Sequence, residues 1–167
     1  MRKKILPSVK QKASGARGYH PVSKTDNWST PQHFFDDYHA RYHLTCDAAA
    51  SARNAKLPKF FTKRQDGLKK DWGTERVWCN PPYGRVLGKW MQKADDACRA
   101  GATVVMLVPS RTDTRWFHDI ALKHKTVFIR GRLKFGNSKS PAPFPSLVVV
   151  FKPSARRRTT AGRAATR

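Results

Sequence analysis

The stretch RVWCNPPYGR (76–85) places a short apolar run directly before an asparagine, two prolines and a tyrosine. The apolar run predicts a strand that ends at Asn80. Pro81 and Pro82 have a fixed φ angle and no backbone N–H, so the loop after the strand is rigid and offers carbonyl acceptors. The stretch therefore predicts a strand end that presents an amide, preset acceptors and the aromatic ring of Tyr83.

Helices and strands are predicted to alternate on the C-terminal side of this stretch. GRVLGKWMQKADDACRAG fits a helix closed by Gly101, and TVVMLV fits a buried strand ended by Pro109. DTRWFHDIALKH fits another helix, with Asp113 or Thr114 as its cap. TVFIRGRLKF and SLVVVF are both strand-like, and residues 136–145 are predicted to form a loop between them.

The N-terminal side predicts one helix and one short strand. STPQHFFDDYHARY fits a helix with Ser29 or Thr30 as its cap and Pro31 at its first position. HLTCDAAA fits a strand that ends at Asp47. Only 33 positions separate Asp47 from Asn80, which is too few for two full helix–strand units. The sheet is therefore expected to be reduced on this side, where the segment DAAASARN also contains no glycine.

This alternation predicts an α/β fold with helices flanking a mostly parallel sheet that closes with an antiparallel pair. In open α/β sheets, ligands bind beyond the carboxyl ends of the strands. Asp47, Asn80 and residues 109–111 all follow predicted strands. Three separate loops are therefore expected to meet at one site.

The charge is strongly positive, with 34 basic residues against 11 acidic residues and a net charge of +23. Residues 1–25 and 153–167 contain basic residues and no acidic ones, so we expect flexible basic arms around a domain at 26–152. The domain itself is also basic. This pattern favours a polyanionic partner, nucleic acid above all, over general solubility or loose association with anionic lipid.

Other signals in the sequence favour no metal and no membrane. The three cysteines are widely spaced and form no CxxC pair, which argues against a disulfide framework and a structural zinc site. His39 and His43 are four residues apart, but nothing nearby completes a metal site. No apolar run approaches the roughly 18 residues of a membrane helix, and the N-terminus lacks the apolar region of a signal peptide. A cytoplasmic protein is expected.

The chemistry of the Asn80 loop follows from its acceptors. The side-chain carbonyl of Asn80 and a backbone carbonyl of the proline pair can accept the two hydrogens of one amino group. An aromatic amine is a poor nucleophile because its lone pair is delocalised, and two fixed acceptors would help to localise that pair in the transition state. Tyr83 offers a flat face for a ring. The alternative is an ordinary loop with a buried tyrosine.

The chain resembles the small phage-encoded DNA N-6-adenine methyltransferases, which are amino-methyltransferases with an Asn-Pro-Pro-Tyr motif. The resemblance runs over 26–151 and is carried, in order, by DNWSTPQHFFDDY, CDAAASARNAK, FFTKRQDGLKKDW, VWCNPPYGR, KWMQKA, LVPSRTDTRWFHD, GRLKF and PFPSLVVVF. It implies a reduced Rossmann-like fold, S-adenosylmethionine as cofactor and methyl transfer to the N-6 amine of adenine in phage or prophage DNA, inside the bacterial host.

The resemblance also implies roles for particular residues. In the catalytic motif, Asn80 and the carbonyl of Pro81 would hold the target amine, with Pro82 stiffening the loop. Tyr83 would stack on a base swung out of the duplex. The cofactor would contact Trp28, Thr30, Pro31, Asp47 and Asp66.

Competing interpretations of these cofactor residues remain open. Asp47 and Asp66 could instead be helix caps or turn formers. Thr30 and Pro31 begin a helix whatever else they do. The acidic residue that usually binds the ribose cannot be assigned, because the sheet is short on this side.

DNA contacts are expected from Arg85, Arg111 and Arg132. Arg111 follows a strand at the predicted rim, where it could bind a phosphate or a base edge, or alternatively pair with Asp113. Arg132 belongs to RGRLKF, whose basic residues would alternate along a strand and share one face, which could follow a phosphate backbone or simply be solvated.

Two other functions remain open at this point. The same motif could methylate a different nitrogen, in cytosine, in RNA or in a protein glutamine. Alternatively, the chain could be a basic DNA-binding protein that keeps the fold without catalysis. Double-stranded DNA is the expected partner.

Overall fold

The computed structural model describes residues 28–136 and 138–153 of this chain. The described part contains helices α1 (Gln32–Tyr42), α2 (Leu87–Ala100) and α3 (Arg115–Asp119), strands β1 (Cys46–Asp47), β2 (Arg76–Cys79), β3 (Thr103–Pro109), β4 (Lys125–Phe128) and β5 (Ser146–Phe151), and 3-10 helices at Gly67–Lys69 and Ala121–Lys123. The predicted basic arms, 1–25 and 153–167, lie outside this part apart from Pro153.

The five strands form one mixed sheet in the order β1-β2-β3-β5-β4. β1, β2 and β3 are parallel, whereas β5 is antiparallel to both β3 and β4. The predicted α/β class and the closing antiparallel pair are confirmed. A mostly parallel sheet is not, because β5 enters between β3 and β4 and makes two of the four pairings antiparallel.

The core lies on both faces of the sheet because alternate residues of β3 point to opposite sides. Val104, Met106 and Val108 pack with α2 and α3 in one apolar cluster. Val105 and Leu107 pack on the other face with residues of α1. Because both faces are covered, β3 is apolar along nearly its whole length, which is why it could be recognised in the sequence.

The helix after the Asn80 loop is held by its apolar side. Trp90, Met91 and Ala94 are spaced at helical intervals and are buried against the sheet. Gly101 ends α2 as predicted, with a φ angle of 120° and its N–H donated to carbonyls of the last turn. The packing of α2 therefore holds the C-terminal end of the loop that begins at Asn80.

Two predicted helix starts differ in detail. Pro31 lies at the N-cap of α1 rather than at its first position, and neither Ser29 nor Thr30 caps the helix with its side chain. Thr114 occupies the N-cap of α3, but its hydroxyl donates to the Arg111 carbonyl at 2.7 Å instead of capping. The hydroxyl of Thr30 is likewise used elsewhere, in the site described below.

The strand predicted across TVFIRGRLKF is too long. β4 ends at Phe128, and the backbone beyond it bonds to other segments: Gly136 donates to the Ser29 carbonyl and Ala142 to the Leu133 carbonyl. Arg132 is exposed in this irregular segment, so the expected basic strand face does not form.

The reduced side of the sheet is confirmed. Among the residues that the structure describes, the sheet continues beyond β1 only as a single parallel bridge between Asp47 and Phe60, followed by the short 3-10 helix at Gly67–Lys69. In the described part of the chain, no helix is both long and apolar enough to cross a membrane.

Candidate active site

A cleft of about 1080 Å³ lies at the carboxyl ends of β1 and β2. Most of its lining comes from four segments that are distant in sequence, within residues 28–30, 47–56, 61–68 and 80–82, and Trp78, Val86 and Trp90 complete it. The position agrees with the edge at which α/β sheets bind ligands. The cleft brings Asn80 together with most of the residues that the resemblance assigns to a cofactor.

Asn80 is held in one orientation by its side-chain amide. The NH2 group donates to the backbone carbonyl of Trp28 and, at 3.0 Å, to the hydroxyl of Thr30. A carbonyl can only accept, so the NH2 group and not the oxygen must face Trp28. The remaining atom, Asn80 Oδ1, is buried and has no hydrogen-bond partner among the described residues.

An unpaired buried acceptor of this kind costs roughly 1–3 kcal/mol. Such atoms are rare in native structures and call for a physical reason. Two other buried side-chain atoms in the described part lack a partner, on His39 and Ser146, but neither residue lines the cleft. Asn80 is therefore a free acceptor placed beside a ligand-sized cavity.

Pro81 and Pro82 both line the cleft next to Asn80. Pro81 is buried and Pro82 is half-buried. Neither has a backbone N–H, so this part of the wall contributes carbonyl oxygens but no backbone donor. The wall is suited to a ligand that donates hydrogens.

Tyr83 is buried in the apolar core and does not line the cleft. Its hydroxyl donates to the Leu107 carbonyl at 3.4 Å, and its ring meets Phe135 and Phe144 edge-on at centroid distances of 6.2 and 5.6 Å. Burial raises the pKa of Tyr83 well above its usual value. Stacking on a base stays a prediction, and it requires that this aromatic contact open.

Trp28 joins the same aromatic cluster from the cleft side. Its ring lies 5.3 Å from that of Phe135 and 5.1 Å from that of Phe144. The residue is half-buried and lines the cleft, and its carbonyl holds Asn80. Phe135 and Phe144 lie in two stretches that carry the resemblance, GRLKF and PFPSLVVVF, but nothing in the sequence predicted that their rings would meet at Trp28 and Tyr83.

Asp47 organises the loop after β1. One carboxylate oxygen accepts from the Lys56 N–H at 3.0 Å and the other accepts weakly from the Ala49 N–H at 3.4 Å. Burial raises the pKa of Asp47, and these two backbone donors partly offset the rise. Both oxygens thus already hold the protein's own backbone, as in the turn-forming alternative.

Asp66 also has a local role. It adopts a left-handed conformation with a φ angle of 53° and accepts from the Leu68 N–H at 3.3 Å. Its carboxylate lies 3.5 Å from the Lys69 ammonium. Asp66 nevertheless lines the cleft and is partly exposed, so it remains available to a ligand.

Gly67 replaces the missing glycine of the first loop. A Cβ atom at this position would lie 2.1 Å from the Ala48 carbonyl oxygen and 3.0 Å from the ring of Trp90. The glycine that permits close approach is therefore on the segment facing the loop rather than in the loop itself. In the sequence this glycine directly follows Asp66 within FFTKRQDGLKKDW, and only the aspartate was given a predicted role.

The predicted DNA-contacting arginines, Arg85, Arg111 and Arg132, are all exposed. Within the described residues, no ion pair joins Arg111 to Asp113, so the structural alternative for that arginine is not found. Three further basic residues that sequence reasoning did not single out line the cleft: Lys56, Lys63 and Arg64. They make one wall of the cleft positive.

Across residues 28–136 and 138–153, no group of three or more His, Cys, Asp or Glu side chains is arranged to hold a metal ion. The three cysteines are free and buried. Burial raises the pKa of Cys46 to about 11, so its thiol is protonated at neutral pH.

The fold and the site together define an α/β protein with a ligand cleft and an unpaired amide acceptor at the strand ends. A family model described as DNA N-6-adenine-methyltransferase (Dam) matches residues 18–165, and the chain belongs to this family. The match begins before residue 26 and ends after residue 151. Parts of both predicted basic arms are therefore included in the resemblance, contrary to the expected limits.

Two curated relatives carry the same description, DNA N-6-adenine-methyltransferase. The protein of Haemophilus phage HP1 is 30% identical over 145 residues, which are 80% of this chain and 82% of the relative. The protein of Escherichia phage T1 is 35% identical over 101 residues, which are 58% of this chain. The chain spans only 41% of the T1 relative's length.

Proposed function

We propose that this protein transfers a methyl group from S-adenosylmethionine to the N-6 amine of adenine in phage or prophage DNA. The observation that carries the proposal is the buried, unpaired Oδ1 of Asn80 beside a cleft of about 1080 Å³. Family membership supports the same reaction. The fold is then a reduced Rossmann-like methyltransferase fold, and the reaction takes place in the cytoplasm of the bacterial host.

The residues around the cleft fit a cofactor of this size and chemistry. The volume is at the upper end of small-molecule sites, which span roughly 300–1,000 Å³. Asp66 offers carboxylate acceptors, and the close contact between Gly67 and Ala48 shapes the floor of the cleft. When bound there, S-adenosylmethionine would supply an electrophilic methyl group.

The chain's own contribution is to orient the target amine. Asn80 Oδ1 and the Pro81 carbonyl would accept the two amine hydrogens, which directs the nitrogen lone pair away from the purine ring. Oriented acceptors act most strongly on the charge that develops in the transition state. Because Asn80 Oδ1 has no partner among the described residues, the target amine would not have to displace a hydrogen bond within the protein to reach it.

An adenine inside a duplex cannot reach this cleft, so the base would have to be extruded. Tyr83 would then stack on it, once its contacts with Phe135 and Phe144 open. The exposed Arg85, Arg111 and Arg132 would hold phosphates on either side. With a net charge of +23, binding to DNA is expected to be strong and sensitive to salt.

The test is transfer of labelled methyl from S-adenosylmethionine to unmethylated DNA, followed by nucleoside analysis, with wild type and Asn80→Ala. We expect labelled N-6-methyladenine, and a loss of about 100-fold or more in Asn80→Ala. Gln92→Ala is the matched control, because it removes an exposed side-chain amide that bonds only to Asp96 on α2. It should retain the wild-type rate.

The other outcomes point to the alternatives. Label in cytosine, RNA or protein would mean that the same acceptors serve a different nitrogen. A folded wild-type protein that binds DNA tightly but transfers no label to any substrate would mean a DNA-binding protein without catalysis.

A further inference from the structure

The short segment Trp28–Thr30 holds Asn80 in place. Its backbone carbonyl at Trp28 and its hydroxyl at Thr30 receive both hydrogens of the Asn80 amide. Thr30 is only 5% exposed, so this hydroxyl is not exchanging freely with water. The hydroxyl does not cap α1, although it lies beside the start of that helix.

The same segment is tied to the two other loops around the site. The Ser29 carbonyl accepts from the Gly136 N–H at 2.7 Å, in the connection between β4 and β5. The Ser29 hydroxyl receives a weak bond of 3.4 Å from the Asn54 amide, in the loop after β1. These contacts keep the Thr30 hydroxyl at a fixed position relative to Asn80.

The oxygen and the NH2 group of an asparagine amide are similar in shape, but the oxygen accepts hydrogen bonds and the NH2 group donates them. If it rotated by half a turn, its NH2 group would face the target amine, and two donors would meet. Its oxygen would then face the Trp28 carbonyl, and two acceptors would meet. The orientation of Asn80 therefore decides whether it can act on an amine.

We propose that Thr30 is a positioning residue that holds the Asn80 amide in place, while the Trp28 carbonyl, which can only accept, decides that the amide oxygen is the atom available to the target amine. The proposal rests on the proposed function for its consequence in catalysis, but the orientation itself is a property of the free protein. It assigns Thr30 a role different from the cofactor contact that the resemblance implies. The Trp28 carbonyl alone would still favour the same orientation, so loss of the hydroxyl should weaken rather than abolish it.

The experiment compares Thr30→Val, which keeps the branched shape without the hydroxyl, with Thr30→Ser, which keeps the hydroxyl. Thr126→Val is the matched control, because the Thr126 hydroxyl bonds to the Ala121 carbonyl at 3.0 Å and lies outside the cleft. Single-turnover methyl transfer at saturating cofactor and DNA should fall about tenfold in Thr30→Val. It should stay within about threefold of wild type in Thr30→Ser and Thr126→Val.

Cofactor affinity separates this role from direct binding. We expect the dissociation constant for S-adenosylmethionine to change by less than about threefold in Thr30→Val. A weaker affinity with an unchanged rate at saturation would overturn the proposal and make Thr30 a cofactor ligand.

A second readout does not depend on activity. The side-chain NH2 signals of Asn80 can be assigned in NMR spectra by their loss in Asn80→Ala. Their exchange with water should be slow in wild type and Thr30→Ser, and about tenfold faster in Thr30→Val. Equal exchange in all of these proteins would overturn the positioning role, whereas an inactive wild type with the expected exchange pattern would overturn only the proposed function.

Discussion

The two ends of the sheet are held together in different ways. At the strand-rich end, formed by β3, β4 and β5, β3 and β5 pair over six residues and every residue of β5 is buried. At the cleft end, formed by β1 and residues 48–75, β1 has two residues and a single bridge to Phe60. Side-chain bonds to the backbone, such as that from Asp47 to Lys56, shape this end.

This difference suggests that one end of the sheet mainly supports stability and the other mainly supports ligand binding. The strand-rich end gains its stability from apolar burial, which is insensitive to the detailed positions of polar groups. The cleft end has little strand pairing, and local hydrogen bonds such as those accepted by Asp47 and Asp66 shape the polar lining of the cavity. Changes at the strand-rich end should therefore appear mainly as lost stability, and changes at the cleft end mainly as lost ligand binding.

The largest loss of stability is expected from Leu147→Ala at the strand-rich end. Leu147 is fully buried in β5, and removing its side chain leaves a cavity in the apolar cluster that it forms with α2 and α3 on one face of the sheet. The free energy of unfolding should fall by about 2–5 kcal/mol, as measured by urea denaturation. The exposed Leu122 provides a control of the same chemistry, and Leu122→Ala should change stability by less than about 0.5 kcal/mol.

Gly67→Ala should have a smaller effect on stability and a clear effect on ligand binding. The new Cβ would overlap the Ala48 carbonyl oxygen, so the backbone at the floor of the cleft must shift. We expect a loss of about 1–3 kcal/mol in unfolding free energy and at least a tenfold loss in affinity for S-adenosylmethionine.

Gly88→Ala is the control for that substitution. Gly88 lies in α2 with its nearest neighbour 3.9 Å from the new Cβ, so alanine should be neutral or stabilising by about 0.5–1 kcal/mol. If the Gly67→Ala and Gly88→Ala proteins had the same affinity for S-adenosylmethionine, the cleft end would be far more adaptable than its close contacts indicate.

The same contrast explains how much the sequence could predict. β3 and β5 were predicted correctly because strands buried on both faces are apolar without interruption. The strand predicted through 129–135 failed because, after Ile129 donates to Ser146 of β5, the backbone turns to other partners, such as the Ala142 N–H that donates to Leu133. The apolar residues of the stretch still pack in the core, which explains its strand-like pattern.

For the site, the sequence correctly placed Asp47 and Asn80 together at neighbouring strand ends, but residues 109–111, which were expected at the same site, do not line the cleft. A buried Tyr83 was the alternative interpretation of this loop, and the structure shows it buried. The sequence could not decide between the two, because the covering rings come from residues about 50 or more positions away. Nor could it predict the role of Gly67, which depends on a contact across the cleft.

Asp47 and Glu75, both at the cleft end, should make the unfolding free energy depend on pH in opposite directions. Burial raises the pKa of Asp47, so its ionised form opposes folding. Its contribution is fully favourable below the unfolded pKa, near 3.8, and is lost as the pH rises through the raised value in the folded protein. The unfolding free energy of wild type relative to Asp47→Asn should therefore fall as the pH is raised from acid toward neutrality, and an opposite slope would contradict the burial of this charge.

The smallest effect is expected at Glu75, which is partly exposed just before β2. Its bond with the Lys59 ammonium, at 2.6 Å, lowers the pKa of Glu75. The same bond joins the segment before Phe60 to the residue that precedes β2. The stabilisation is present above the unfolded pKa of Glu75 and is lost as the pH falls through the lowered value. Because exposed pairs are screened, Glu75→Gln should lower stability slightly at low salt and not at all in about 1 M salt, in urea titrations of both proteins. A loss that persisted in high salt would mean that Glu75 acts mainly through its hydrogen bond from the Thr45 hydroxyl rather than through its exposed ion pair with Lys59.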